Sequence, residues 1–306
     1  MRPCTRVARR RLGVAATCCL AALALAACAP VDESDDATDG SDAGSGDGDG
    51  GAVDAAACTP DQLPLYADGR LTVATDKPAY PPWFVDNDPT NGNGYESAVA
   101  YAVAGELGFA DDEVEWVTVP FNASYQPGAK EFDFDINQIS ITAKRAESVT
   151  FSRGYYTAAQ AVIVQEGSDF ADATSVADLA DATIGAQVGT TSLTAVTDVI
   201  APSDDPAVYD DTNAATNALE NGQVDAIVAD LPSAFYITAV QLDDGVIVGQ
   251  FQPDTGDTEQ FGLLFEQGNP LVECVDTALD TLDSDGTLAR IERRWLSDVV
   301  DVPELS

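Results

Sequence analysis

From Leu71 onward, short β-branched runs alternate with helical stretches, and this order limits the possible folds more than any other feature of the chain. Residues 71–75, 114–119, 132–141, 161–164, 183–188, 224–230, 246–248 and 261–265 read as strands. The run at 132–141 alternates cleanly only if a bulge or turn falls near Asn137–Gln138. Val99, Val103 and Leu107 repeat with helical spacing until Gly108 stops the helix. A short capped helix opens at Ser175. Further helices are predicted from Ser192 to Val199, over 212–221, from Pro232, and over 270–283 and 286–296. Strand followed by helix, interrupted in the middle and resumed at the end, predicts an α/β fold with parallel sheets covered by helices. Ligands of such sheets gather beyond the carboxyl ends of the strands. Asp76, Ser140, Arg145, Thr190, Thr191 and Asp230 fall at those ends or in the loops just after them.

If those loops face one another across a cleft, their chemistry is complementary to a zwitterion. Arg145 offers a rigid, permanently charged fork for a carboxylate. Ser140 and the backbone amides at Thr190-Thr191, placed where a helix starts, complete the hydrogen bonds of such an anion. Asp230 balances an ammonium group. A cation and an anion at fixed separation describe an α-amino acid. Asp76 and Gln187 remain to line a side-chain pocket, with Tyr80 and Trp83 from the proline-rich loop Asp76–Phe84 and with Phe121. Each residue also has an ordinary structural reading. Asp76 and Asp230 would then cap turns or helices, and Arg145 would pair with Glu147 at the surface.

The charge balance excludes one class of partner. Five of the 14 cations (Arg2, Arg6, Arg9, Arg10 and Arg11) precede Cys28, which leaves nine against 52 acids. Nucleic acid binding needs a cationic surface, so it is not expected. The chain has no histidine, which removes imidazole-dependent triads and most zinc hydrolase sites. No metal or other cofactor is expected. The aspartates before Cys58 lack EF-hand spacing, and Asp283–Thr287 resembles half a calcium loop without the closing glutamate.

Residues 1–27 carry an arginine-rich start, an apolar run from Leu12 to Ala27 and a small-residue end, the three parts of a secretory signal. Leu25-Ala26-Ala27-Cys28 resembles the lipobox of bacterial lipoproteins, which implies cleavage before Cys28 and a lipid on its sulfur; an ordinary cleaved signal is the other reading. Residues 28–57 are mostly Asp, Gly, Ser and Ala, a composition that predicts a disordered acidic linker. Lipid and linker together would hold an extracytoplasmic, monomeric body on the outer face of the membrane.

Several short motifs, in order, carry a wider resemblance: Ala79-Tyr80-Pro81-Pro82-Trp83, Gly94-Tyr95-Glu96, Ile139-Ser140-Ile141-Thr142-Ala143-Lys144-Arg145, Phe151-Ser152 with Tyr155-Tyr156, Gln187-Val188-Gly189-Thr190-Thr191-Ser192, Val224-Asp225-Ala226, Phe261-Gly262 and Asp285-Gly286-Thr287 before Trp295. From Leu71 to Trp295 the chain resembles family 3 of the bacterial extracellular solute-binding proteins, the polar amino-acid receptors of ABC importers. The resemblance implies a type II periplasmic-binding-protein fold of two hinged α/β lobes with a ligand cleft between them. Residues 58–158 and 256–306 would form lobe 1, and 159–255 lobe 2. It implies carboxylate binding by Arg145 and Ser140, a helix-start contact at Thr191, and ammonium binding by Asp230. Tyr80 and Phe121 would sandwich the ligand, with Asp76 and Gln187 meeting its side chain. Gln138 stands where a glycine is usual and is expected to reshape the pocket; Ala98 replaces an expected acid, and Pro78 accompanies an insertion. An ABC permease is the implied partner, with an enzyme resembling cyclohexadienyl dehydratase, or a sensor subunit, as alternative functions. With Cys28 lipidated, Cys58 and Cys274 are the thiols left for a disulfide.

Overall fold

The computed structural model describes residues 58–252, 258–296 and 302–306. The expected signal peptide, lipidated Cys28 and linker lie outside these residues, as does 253–257. In chain order the strands are β1 (Leu71–Thr75), β2 (Val114–Thr118), β3 (Phe134–Asp135), β4 (Val149–Thr157), β5 (Gln160–Gln165), β6 (Ile184–Gln187), β7 (Ala207–Tyr209), β8 (Ala226–Asp230), β9 (Gly245–Phe251) and β10 (Gln260–Glu266). The helices are α1 (Tyr95–Glu106), α2 (Phe121–Ser124), α3 (Ala143–Ala146), α4 (Thr191–Ala195), α5 (Thr212–Glu220), α6 (Leu231–Tyr236), α7 (Leu271–Ser284) and α8 (Thr287–Trp295). The strands form two five-stranded sheets, ordered β2-β1-β3-β10-β4 and β7-β6-β8-β5-β9. The chain leaves the first sheet after Thr157, enters the second at Gln160, and is back in the first at Gln260.

The sheets are mixed rather than parallel throughout. β1 runs parallel to β2 and β3, and β6 runs parallel to β7 and β8, as strand–helix–strand units require. β10 is antiparallel to β3 and β4, and β5 is antiparallel to β8 and β9. The two crossings explain the difference: β4 carries the chain out of the first sheet and β10 brings it back alongside, so the pair runs in opposite directions. β4 was not recognisable as a strand, because Thr150, Ser152 and Arg153 break its apolar alternation. β3 is only two residues long. Gln138, in the left-handed region at φ 48°, turns the chain where an interruption was expected, and pairing resumes as a single bridge between Ser140 and Phe261.

The first half is built on β1, whose five residues are all buried, and on α1, α7 and α8. Gly94 at the start of α1 is required by a close approach: a Cβ there would meet the carbonyl of Trp83. Trp83 is fully buried, with edge-on contacts to Tyr95, Tyr156 and Phe261 at ring separations of 5.9, 5.5 and 5.7 Å. In the second half, apolar residues on the two faces of β5 and β8 form separate clusters, one packed against α4 and the other against α5 and α6. Helices α4 and α6 each pass into a π-helical turn, Val196–Ile200 and Ile237–Gln241. The C-terminal residues depart from the expected lobe boundaries. Glu304 bridges to Gln250 and Leu305 packs into the core of the second sheet, so 302–306 belong with the second half. A disulfide joins Cys58 to Cys274 on α7, with their Cα atoms 5.4 Å apart.

Candidate functional site

A cavity of about 220 Å³ lies between the two sheets. The first half supplies the loop after β1, Phe121 and the Asn137–Gln138 turn. The second supplies the loop after β6, the start of α5, the end of β8 and α6. All these are strand ends or the segments that follow them. Of the sequence-predicted residues, Asp76, Tyr80, Trp83, Phe121, Gln138, Gln187, Thr190, Thr191 and Asp230 line the cavity. Ser140 and Arg145 do not; they sit immediately behind its wall.

Arg145 is held by the capped turn of α3, where the Thr142 hydroxyl accepts the Arg145 N–H at 3.2 Å. Its guanidinium donates through Nη1 to the Ser140 carbonyl at 2.7 Å and through Nη2 to the Gly189 carbonyl in the other half at 3.0 Å. It also lies over the rings of Phe121 and Tyr125, 5.4 and 4.9 Å from their centroids. Arg145 makes no ion pair among the described residues, so the surface pairing with Glu147 is not formed. These carbonyls engage two of its five N–H donors. Burial lowers its pKa, and Glu259 and Asp230 work in the opposite direction.

Asp230 stands at the N-cap of α6 but makes no capping bond. Its carboxylate instead accepts from Gln160 Nε2 at 2.9 Å. Burial and the charge of Glu259 push its pKa well above the usual carboxylate range, against the Gln160 hydrogen bond and Arg145. Asp76 does act as a local acceptor, taking the N–H of Lys77 at 2.6 Å and of Phe121 at 3.0 Å, while still facing the cavity. Thr190 caps α4 through the Leu193 N–H, and its hydroxyl donates to the Gln187 carbonyl. The hydroxyls of Thr191 and Ser140 approach to 3.1 Å across the two halves. Gln187 accepts from the Thr212 hydroxyl at 2.9 Å, and Trp83 Nε1 donates to the Ser233 hydroxyl of the other half at 2.8 Å.

Gln138, on the cavity lining, is held by Glu96. Its N–H donates to Glu96 Oε1 at 2.6 Å and its Nε2 to Glu96 Oε2. Glu96, fully buried in α1, also accepts from the Tyr155 hydroxyl. Burial raises its pKa to about 7 despite these hydrogen bonds.

Sequence reasoning missed several contributors. Glu259 accepts from Ser140 Oγ at 2.6 Å and from Gln160 Nε2 at 2.9 Å, while Ser192 Oγ donates to Gln160 Oε1 at 2.6 Å. Gln160 and Glu259 flank the two crossings, and nothing local marks them. Asn137, Asp210 and Asp211 also line the cavity. With Asp76 and Asp230 they give four carboxylates against Lys77 on the lining.

The family model for bacterial extracellular solute-binding proteins, family 3, matches residues 71–298. The L-cystine-binding protein TcyJ of Escherichia coli (strain K12) is 26% identical over 235 residues, covering 74% of this chain and 82% of its own. The L-arginine-binding protein of Pseudomonas aeruginosa is 26% identical over 251 residues, covering 74% and 90%. The structure of an ancestral arginine-binding protein bound to glutamine superposes with a TM-score of 0.62 at 30% identity, covering 75% of this chain and 98% of that one. The fold is thus the type II periplasmic-binding-protein fold, with two α/β lobes and the cavity between them. No helix among the described residues is long and apolar enough to cross a membrane.

Proposed function

Because the chain belongs to the bacterial extracellular solute-binding proteins, family 3, we propose that it is the substrate-binding subunit of an ABC importer and closes its lobes around a polar or basic α-amino acid. The observation that carries this reading is a cavity lined from both lobes, with Asp230 on its wall and Arg145 just behind it, bonded to the Gly189 carbonyl of the other lobe. Arg145 and Ser140 take the ligand carboxylate, Thr191 adds a contact from the other lobe, and Asp230 takes the ammonium. Tyr80, Trp83 and Phe121 wall the side chain, with Asp76, Gln138, Gln187 and Thr190 as its polar surroundings. The closed form is presented to a permease, so that occupancy is read as shape. A lipid on Cys28 and the acidic segment behind it would keep the protein at the outer face of the cell membrane. Binding relatives support a receptor rather than an enzyme.

Titration calorimetry with the twenty amino acids, on protein freed of carried-over ligand by unfolding and refolding, tests the reading. Saturable heat with at least one is expected, and none with any of them would sink it. Arg145→Met and Asp230→Asn should each weaken the bound amino acid by about 10- to 100-fold, the range for a charge-assisted hydrogen bond lost from a desolvated site. Unchanged affinity in either variant would remove that residue from the clamp.

A further inference from the structure

On the footing of that reading, we infer that the cavity is built for an amino acid whose far end carries an oxygen acceptor beside N–H donors. A side-chain carboxamide has this chemistry, and so does a second amino-acid head joined through the side chain. The inference comes from donors and acceptors that the protein leaves without partners on residues lining the cavity. Asn137 lines it and is only 7% exposed, yet its Nδ2 meets no acceptor among the described residues. The hydroxyl of Tyr80, another lining residue, is buried with no partner among the described residues, and burial, then the charges of Asp211 and Asp76, raise its pKa, so it stays a donor. A buried donor without an acceptor is costly, so two on residues of the same lining point to an acceptor brought by the ligand.

Acceptors stand beside these donors. Glu96 takes both the N–H and the Nε2 of Gln138, which fixes that amide and leaves its Oε1 with no protein donor among the described residues. Asp76 uses its two oxygens on backbone N–H groups, and each retains a lone pair. A lysine or arginine side chain would satisfy Gln138 and Asp76 and leave Asn137 and Tyr80 unpaired. A glutamate would satisfy the donors but set an uncompensated negative charge against Asp76, Asp210, Asp211 and Asp230, whereas the carboxylate of a second amino-acid head arrives with its own ammonium. Leucine would satisfy neither. A group that offers both an oxygen and N–H donors satisfies the whole wall.

The test is calorimetry on the refolded chain with L-glutamine, L-asparagine, L-cystine, L-glutamate, L-lysine, L-arginine and L-leucine. One of the first three should bind at least about tenfold tighter than any of the last four. Preference for glutamine or asparagine identifies a carboxamide, and preference for cystine a second amino-acid head. Asn137→Leu and Tyr80→Phe should each weaken that ligand by about tenfold more than they weaken any residual lysine or leucine binding. Lysine, arginine, leucine or glutamate binding as tightly as the best of the first three overturns the inference and leaves the receptor reading intact. So do variants that weaken every ligand equally or none. No binding by any amino acid overturns both.

Discussion

At the scale of single residues, Glu96 joins pocket shape to pH. It is fully buried and holds Gln138 in a left-handed conformation that side-chain-bearing residues seldom adopt. Its folded pKa of about 7 lies above its ordinary 4.5. The folded protein therefore binds more protons than the unfolded chain between those values, and stability falls as pH rises through that window. The stabilisation is fully present below pH 4.5 and lost by about pH 7. From Glu96 alone the change is on the order of 3 kcal/mol. Asp135 and Asp230, also pushed up by burial, act in the same direction. Urea unfolding at pH 5 and pH 8 should show the wild type more stable at pH 5, with Glu96→Gln reducing that difference. An unaltered difference in the variant would show that Glu96 is not the titrating group.

At the scale of elements, the start of α4 decides how closely the lobes approach. Gly189 has φ 76°, and a Cβ there would meet the side chains of Asn122 on α2 and of Tyr125 just after it, in the other lobe. Its carbonyl is also the acceptor for Arg145 Nη2. Gly189→Ala is expected to hold the lobes apart as well as strain the loop, at about 1–3 kcal/mol for the left-handed backbone. Ligand affinity should drop by about tenfold or more, and the ligand-induced compaction seen by small-angle scattering should shrink. Full compaction with wild-type affinity would show that the loop adjusts and the approach is not set there. The elements differ in how legible they were. β1 and β8 are apolar runs, and the helical spacing that ends at Gly108 forms α1. β4 escaped because a strand flanked by a crossing and by solvent need not alternate, and β3 was overextended because nothing local shows that Gln138 leaves the strand.

At the scale of the whole molecule, the Cys58–Cys274 disulfide closes a separation of 216 residues, tying the start of the described chain to α7. On the chain-entropy account a link of that span stabilises by up to about 5 kcal/mol. Reduction, or Cys58→Ser with Cys274→Ser, should lower the melting temperature by several degrees while ligand affinity at 25 °C is kept, because the bond lies away from the cavity lining. Superimposable melts with and without reductant would show that the bond contributes little. The amino-acid sequence by itself determined the α/β class and nine of the residues on the cavity wall, because period, caps and strand-end position are local properties. Arg145, Ser140 and Asp230 were legible as chemistry for the same reason. Only the tertiary structure decided what each of them touches. Gln160 meets Glu259 over 99 residues, Trp83 meets Ser233 over 150, and Arg145 reaches Gly189 across the cleft. Those partners are chosen by how two separately folded sheets face one another, and no local pattern records that.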